Sequence, residues 1–222
     1  MVECRNLHQQ ILLMKKISVV IVILFSFILT MYGQNSPDAQ SIVDKSANKI
    51  KSSKGINVSF SLTQRDKQNQ VMDRTKGNMK IKEQKYYIKQ EDNEIYCNGV
   101  NVWNYDGENE VTVAKVDNDD DGFSPQQILT GFNKKDFDIK LISSEGTYYL
   151  LQLTPIDKRK NFKQIMLYIN KSTSLVSKAV ITDKANTSTE ISFTNISLNA
   201  SFSDNQFVFD AAKHPGVEVI NQ

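Results

Sequence analysis

The stretch of this sequence with the clearest chemical pattern is an acidic loop, Asp117–Gly122, which reads DNDDDG. Its residues match the first six positions of a calcium-binding loop, where Asp and Asn oxygens ligate the ion and a glycine makes the turn. The bidentate glutamate expected at the twelfth position falls on Ile128, and Pro125 takes the ninth. Because the strongest ligand is missing, we interpret the loop as a solvated acidic turn and predict no metal site. A working loop would instead indicate a structural calcium-binding secreted protein.

Other groups capable of catalysis are few and scattered. The chain has two histidines, His8 and His214, and two cysteines, Cys4 and Cys97. It contains no G-x-S-x-G, H-E-x-x-H or P-loop motif. Cys97 lies in a strand-like stretch and is interpreted as a small packed residue rather than a nucleophile. The sequence therefore predicts a protein that is not an enzyme and needs no cofactor.

The first 33 residues are typical of a signal peptide. Lys15-Lys16 precede a 15-residue apolar run, Ile17–Met31, and Gly33 offers a cleavage point. A membrane span needs about 20 apolar residues, so a retained anchor helix is the less favoured alternative. Met14 directly precedes the lysine pair, so residues 1–13 are interpreted as a candidate over-long start.

We expect residues 34–222 to form a single exported domain that is soluble when mature. Of the 27 basic and 25 acidic residues, the first 33 positions hold three and one, which leaves 24 of each. A neutral domain without a cationic block does not favour nucleic-acid binding. Only Cys97 remains, so no internal disulfide is predicted and the core must supply the stability.

Two helices are predicted. The first begins at Ser36-Pro37-Asp38 and ends at Lys54-Gly55, with one apolar stripe of Ala39, Ile42, Val43, Ala47 and Ile50. The second is short: Ser124-Pro125 starts it and Gly131 stops it, and it carries Ile128 and Leu129. Its position beside the predicted sheet is typical of a lid, and equally of a plain crossover helix.

Between and after the helices the apolar period is two, which predicts strands. Val58, Phe60 and Leu62 form one alternating run, and Met79 with Ile81 belongs to the next. Further runs are 85–90, 94–98, 100–105, 111–116, 137–142, 148–154, 162–170, 175–181, 189–198 and 206–209. Short connections between them predict an antiparallel meander that must curl or close to hide its edges.

Two of these runs have unusual patterns. The apolar parity changes near Thr194-Asn195, which predicts an extra residue or a sharp bend in that strand. Tyr148–Leu153 and Phe162–Ile169 are apolar on both parities, so both faces of the sheet need cover there. Either the sheet packs entirely on itself and its helices, or part of its concave face forms a cavity for an apolar ligand.

The order of these elements resembles the LolA-type carriers of outer-membrane lipoproteins across nearly the whole mature chain. The residues that carry the resemblance are 58–64, the Gly77-containing strand, 98–105, the short helix, 151–155, 207–209 and 215–219. The resemblance implies a mainly β fold, an incomplete and strongly curved antiparallel β-barrel closed by a few short α-helices. It implies a periplasmic carrier that shelters lipoprotein acyl chains in an apolar cavity and moves lipoproteins from the inner to the outer membrane.

The partners implied are the acyl chains, an inner-membrane ATP-driven lipoprotein release complex and an outer-membrane acceptor, with the carrier a monomer and no cofactor. We expect cavity and lid to be lined by Phe60, Leu62, Met79, Ile81, Tyr87, Ile128, Leu129 and Met166. The family pattern usually places a latch arginine where this sequence has Glu83, so the latch is either absent or replaced by a neighbouring lysine. The alternative function is a periplasmic lipid-sensing or lipid-binding regulatory module on the same scaffold.

The incomplete acidic loop generates a first prediction. At about 1 mM calcium, a typical concentration for weak extracellular modules, the melting temperature should equal that measured with a chelator. Thermal unfolding with calcium, with magnesium and with chelator checks this. A rise of several degrees with calcium alone would identify Asp117–Gly122 as a working site.

Overall fold

A computed structural model describes residues 38–116, 125–132 and 135–221. Within these ranges the chain forms two α-helices, α1 (Ala39–Lys51) and α2 (Pro125–Thr130), and twelve strands. The strands are β1 (Ile56–Arg65), β2 (Val71–Lys82), β3 (Lys85–Gln90), β4 (Asn93–Cys97), β5 (Asn101–Tyr105), β6 (Glu110–Lys115), β7 (Phe137–Ser143), β8 (Tyr148–Pro155), β9 (Phe162–Asn170), β10 (Val176–Asp183), β11 (Ser188–Leu198) and β12 (Glu218–Asn221).

All twelve strands belong to one open, curved sheet in the order β12-β6-β5-β4-β3-β2-β1-β11-β10-β9-β8-β7. The chain runs outward as a meander from β1 to β6. After α2 it begins again at the other edge with β7 and returns to β1 through β11. The mainly β, LolA-like fold class expected from the sequence is confirmed. One pair departs from the expected antiparallel pattern, because β12 pairs with β6 in parallel.

The two faces of the sheet differ in character. On β1, Ile56, Val58 and Phe60 point to one side, where their cross-strand neighbours include Met79 and Ile81 on β2. The apolar residues of α1 and α2 join these side chains in a single core cluster. We call this the helix-covered face and the other side the opposite face.

Helix α1 covers the sheet with the predicted stripe. Ile42, Val43, Ala47 and Ile50 are buried, and Ala39 packs against the core half-buried. The helix contacts β7, β9 and α2. No helix in the described part of the chain combines the length and apolar character that crossing a membrane requires.

The predicted irregularity in β11 is present. Asn57 pairs with Ser197 but Ser59 pairs with Thr194, so the register between β1 and β11 shifts by one residue. Asn195 has a φ of 53°, in the left-handed region that Asn tolerates better than most residues. The extra residue bends the strand, so apolar residues at odd positions before the bulge and at even positions after it face the same core.

The prediction of a strand at 206–209 is wrong. Asp204–Phe207 and Ala211–Lys213 are short 3-10 helices, and we call residues 202–214 the C-terminal segment. Phe207 and Phe209 alternate as in a strand and both are buried. They pack against the opposite face, where Phe209 contacts Tyr96 and Tyr105. The alternation therefore reflects packing on a sheet rather than pairing within it.

Gly77 allows β1, β2 and β3 to come together. A Cβ at this position would lie 2.4 Å from the Phe60 ring and 2.4 Å from the Lys89 carbonyl oxygen. Both contacts are far inside van der Waals distance, and the second involves backbone that cannot rotate away.

We therefore predict that Gly77→Ala lowers the free energy of unfolding by about 3 kcal/mol, the upper end of the usual cost of overpacking, because one of the clashing atoms is backbone. Gly146→Ala is the matched control, because Gly146 has a φ of 62° but no atom within 4 Å of the point where a Cβ would lie. The control should lose only about 1 kcal/mol from backbone strain. Urea unfolding of both variants checks the difference, and equal losses would contradict the packing argument.

Candidate functional site

Helix α2 packs on the sheet without belonging to it. It is a six-residue helix whose contacts are with α1 and β10. Ile128 and Leu129 are 0% and 1% exposed and belong to the core cluster. With these two side chains α2 fills part of the helix-covered face.

The close approach of α2 to α1 depends on Gly131. This glycine follows the last residue of α2 with a φ of 103°, a conformation that glycine adopts without strain. A Cβ at Gly131 would lie 2.5 Å from the Cβ of Ala47 on α1. Any side chain at this position would therefore push α2 away from α1.

Six of the eight residues expected to line the cavity and lid share the helix-covered face. All are buried except Leu62, which is half-buried, and the set is Phe60, Leu62, Met79, Ile81, Ile128 and Leu129. The structure thus brings them together around one apolar volume. In this cluster the sheet packs against apolar residues of both helices.

Tyr87 and Met166 do not join the other six. Met166 lies between Ile165 and Leu167, which both face the core, so strand alternation directs Met166 to the opposite face. Tyr87 likewise precedes the buried Ile88 and packs against Tyr96 and the C-terminal segment. We therefore remove both from the candidate site.

The sequence-based list missed further apolar residues of the helix-covered face. They pack against the core but stay half-buried, so they reach the surface: Ile95, Ile139, Leu141, Tyr149, Ile181, Ile196 and Leu198. Their period-two spacing was the available signal. Once one residue of a strand is known to face the core, as Leu151 does in β8, this spacing assigns the other residues of that strand to their faces.

Glu83, at the expected latch position, is exposed in the β2–β3 turn with a φ of 57°. Its neighbours Lys82 and Lys85 each place Nζ 2.7 Å from a carboxylate oxygen of Asp204. Lys82 also donates a hydrogen bond to the Phe202 carbonyl oxygen at 3.1 Å. Both lysines lie on the opposite face, so they tie the turn to the C-terminal segment rather than to α2.

A second polar cluster lies further along the opposite face. Lys89 Nζ is 2.7 Å from Glu94 Oε1, and the Tyr96 hydroxyl donates to the other carboxylate oxygen. Burial opposes ionisation of Glu94, but the hydrogen bonds from Lys89 and Tyr96 hold its pKa below the ordinary value. Burial, together with the Glu94 charge, raises the pKa of Tyr87 to about 12.

Cys97 and the acidic loop are the other chemical candidates from the sequence. Cys97 is buried, and burial raises the pKa of its thiol, as suits a packed residue. Within the described ranges, no three His, Cys, Asp or Glu side chains are grouped so that they would hold a metal ion. The acidic loop Asp117–Gly122 and the predicted signal peptide lie outside the described residues.

An open, curved β-sheet with an apolar face covered by its own helices defines a half-barrel fold. The chain matches the family model of the outer membrane lipoprotein carrier protein LolA over residues 51–210. It belongs to the LolA family. No curated protein is significantly similar to it in sequence.

The chain is also similar to solved structures. An uncharacterized conserved protein from Thermus thermophilus superimposes with a TM-score of 0.56 at 12% identity, over 83% of this chain and 99% of that one. A LolA superfamily protein from Nitrosomonas europaea matches with a TM-score of 0.45 at 14% identity, over 78% and 99% of the two chains. A putative outer membrane lipoprotein-sorting protein domain from Vibrio parahaemolyticus gives 0.46 at 10% identity, over 77% and 97%. The Thermus structure establishes the shared fold.

The Asp204 cluster predicts acid sensitivity. Hydrogen bonds from Lys82 and Lys85 lower the pKa of Asp204 to about 2. A carboxylate with a lowered folded-state pKa stabilises the protein above its unfolded pKa of about 3.9, and this stabilisation is lost as the pH falls toward 2.

We therefore expect Asp204→Asn to be less stable than wild type at pH 6, with the difference shrinking between about pH 4 and pH 2. Urea unfolding across this range measures it. Asp138→Asn is the control, since Asp138 pairs with one lysine rather than two and that ion pair is longer, at 3.1 Å. A constant gap between Asp204→Asn and wild type down to pH 2 would contradict the assignment.

Proposed function

We propose that this protein is a periplasmic carrier that shelters lipoprotein acyl chains on its helix-covered face and moves lipoproteins from the inner to the outer membrane. The observation that carries the proposal is α2, a six-residue helix that fills this face with Ile128 and Leu129. Membership of the LolA family supports a lipoprotein-binding role. In this proposal α2 is a plug that cargo displaces.

The energies of plug and cargo favour exchange. Burying a Leu or Ile side chain is worth about 1.5–3 kcal/mol, so Ile128 and Leu129 together hold α2 with roughly 3–6 kcal/mol. An acyl chain of about fifteen methylenes gains roughly 12 kcal/mol on leaving water. Cargo can therefore replace α2, while the competing helix keeps net affinity low enough for handover.

The absence of a latch arginine fits a lightly held plug. Glu83 stands at the expected latch position, and the flanking lysines bind Asp204 on the other side of the sheet. In this proposal apolar contacts and the fit of Gly131 against Ala47 contribute to holding α2 in place. None of the ion pairs that Lys82 and Lys85 make with Asp204 involves α2, so none of them has to break before cargo enters.

The carrier would act as a monomer without cofactor or catalysis. It would receive cargo from an inner-membrane ATP-driven release complex and pass it to an outer-membrane acceptor. A lipid-sensing regulatory module on the same scaffold would bind the same acyl chains but would not transfer them to an acceptor. Transfer of a purified lipoprotein from this protein to acceptor membranes distinguishes the two functions.

The plug hypothesis predicts an unusual result for Gly131→Ala. The added methyl clashes with Ala47 and destabilises the plugged form, so apparent affinity for a fluorescent long-chain fatty acid should rise. A clash worth about 1.4 kcal/mol gives about a tenfold gain. Gly216→Ala is the matched control, with a φ of 88° and no atom within 4 Å, and it should leave affinity unchanged. Unchanged or weaker binding by Gly131→Ala would show that α2 is ordinary core.

A charge introduced on the helix-covered face tests where the acyl chain binds. Leu62→Glu places a carboxylate on the helix-covered face, and burying it beside hydrocarbon is costly. Thr63→Glu changes the next residue of the same strand, equally half-buried but on the opposite face. The first variant should lose fatty-acid binding and the second should keep it, with both folded by circular dichroism. If wild type takes up no apolar ligand, the carrier proposal fails.

A further inference from the structure

A cavity of about 370 Å³ lies on the opposite face, between the sheet and the C-terminal segment. Its floor is formed by Lys80, Tyr87 and Tyr96, which are direct cross-strand neighbours on β2, β3 and β4. Its roof is formed by residues of the C-terminal segment, including Asn205 and Gln206. No described residue of α2 or of the candidate lipid site lines it, so its function is independent of acyl-chain binding.

Lys80 is the residue in this cavity whose charge is least compensated. Lys80 is half-buried as a residue, and its ammonium group lies 3.4 Å from the neutral Gln206 Oε1 and over the rings of Tyr87 and Phe202, at 5.3 and 5.8 Å from their centroids. Among the described residues it makes no ion pair, whereas Lys82 and Lys85 on the same face share Asp204. An ammonium group without a counterion favours an incoming anion.

The roof adds to this preference. Lys213 contributes a second ammonium, paired with Asp210 at 3.2 Å. Asp210 is the one carboxylate among the described residues that line the cavity, and it also accepts a hydrogen bond from the Ala212 amide at 3.2 Å. The lining therefore keeps a surplus of one positive charge, and the side-chain amides of Asn205 and Gln206 supply neutral donors beside it. Ammonium and amide donors are suited to phosphate oxygens.

The floor offers ring surfaces beside the cationic end. The Tyr87 and Tyr96 rings have centroids 4.9 Å apart. The Tyr96 hydroxyl is already bonded to Glu94, so this residue offers the cavity its ring rather than a free hydroxyl. Aromatic faces of this kind pack against sugar rings and other flat or cyclic groups.

We propose that this cavity binds a sugar phosphate, with the phosphate between Lys80 and Lys213 and the sugar ring against Tyr87 and Tyr96. The same chemistry is presented by a free sugar phosphate and by the phosphorylated sugar headgroup of a lipid. The protein would then carry two separate sites, an apolar one under α2 and a polar one under the C-terminal segment.

Trp103 provides the readout. It is the single tryptophan of the chain and the cross-strand neighbour of Tyr96 on the opposite face. Titration of glucose 6-phosphate into the full-length protein should change Trp103 fluorescence with saturation, and glucose or inorganic phosphate alone should bind at least about tenfold more weakly. Vesicles of phosphatidylcholine with and without phosphatidylinositol 4-phosphate test the lipid source. Saturable binding of either phosphorylated sugar supports the site and identifies its source.

Matched variants test the assignment to Lys80. Lys80→Gln should weaken binding about tenfold or more, as loss of a charge-assisted contact does, and Lys80→Arg should retain it. Lys76→Gln is the control, since Lys76 lies on the same face of β2 but outside this cavity. Lys213→Gln should also weaken binding, and melting temperatures show that each variant is folded. Equal losses for Lys76→Gln and Lys80→Gln, or no response of wild type to either phosphorylated probe, would overturn the proposal.

Discussion

One apolar face of a twelve-stranded open sheet must be kept out of water, and the rest of the structure depends on how this is done. The strands bury their side chains on that face only where something packs on top, because an open sheet lacks a second layer of its own. Helix α1 supplies most of the cover with one stripe of Ile and Val, and α2 adds Ile128 and Leu129. A short helix thereby becomes part of the core without belonging to the sheet.

The two faces are covered by different kinds of interaction. The helix-covered face is sealed by apolar packing, which is non-directional and tolerates replacement of one hydrocarbon by another. The opposite face is tied to the C-terminal segment by ion pairs from Lys82 and Lys85 to Asp204 and by buried aromatic rings. Directional contacts of this kind hold one geometry. The two kinds of cover therefore lie on separate sides of one sheet, with apolar packing on one side and directional contacts on the other.

The strand order reinforces this separation. β1 lies near the middle of the sheet and pairs with β2 from the first meander and β11 from the second, so the two halves are joined along a long antiparallel seam. α2 comes between these halves in the chain. Its displacement would break no strand pairing within the described sheet, because α2 is a helix outside that sheet.

The sequence by itself determined the local features of this protein. The stripe of α1, the apolar runs of eleven strands, the short helix before Gly131 and the bulge at Asn195 all follow from residue types and spacing that are visible within a few residues. The family resemblance also rested on the order of such local motifs, and the family match confirms it.

Tertiary structure alone decided which face each strand residue occupies and what lies above it. Period two divides a strand into two sets but does not say which set meets the core, so Tyr87 and Met166 were grouped with residues on the other side of the sheet. For the same reason the alternation of Phe207 and Phe209 was typical of a strand, although both residues pack against the opposite face of the sheet without belonging to it. Lys82 and Lys85 find Asp204 about 120 positions away in the chain, a pairing that no local pattern encodes. Contacts between distant segments depend on the free energy of the whole packed domain, and only the folded chain specifies them.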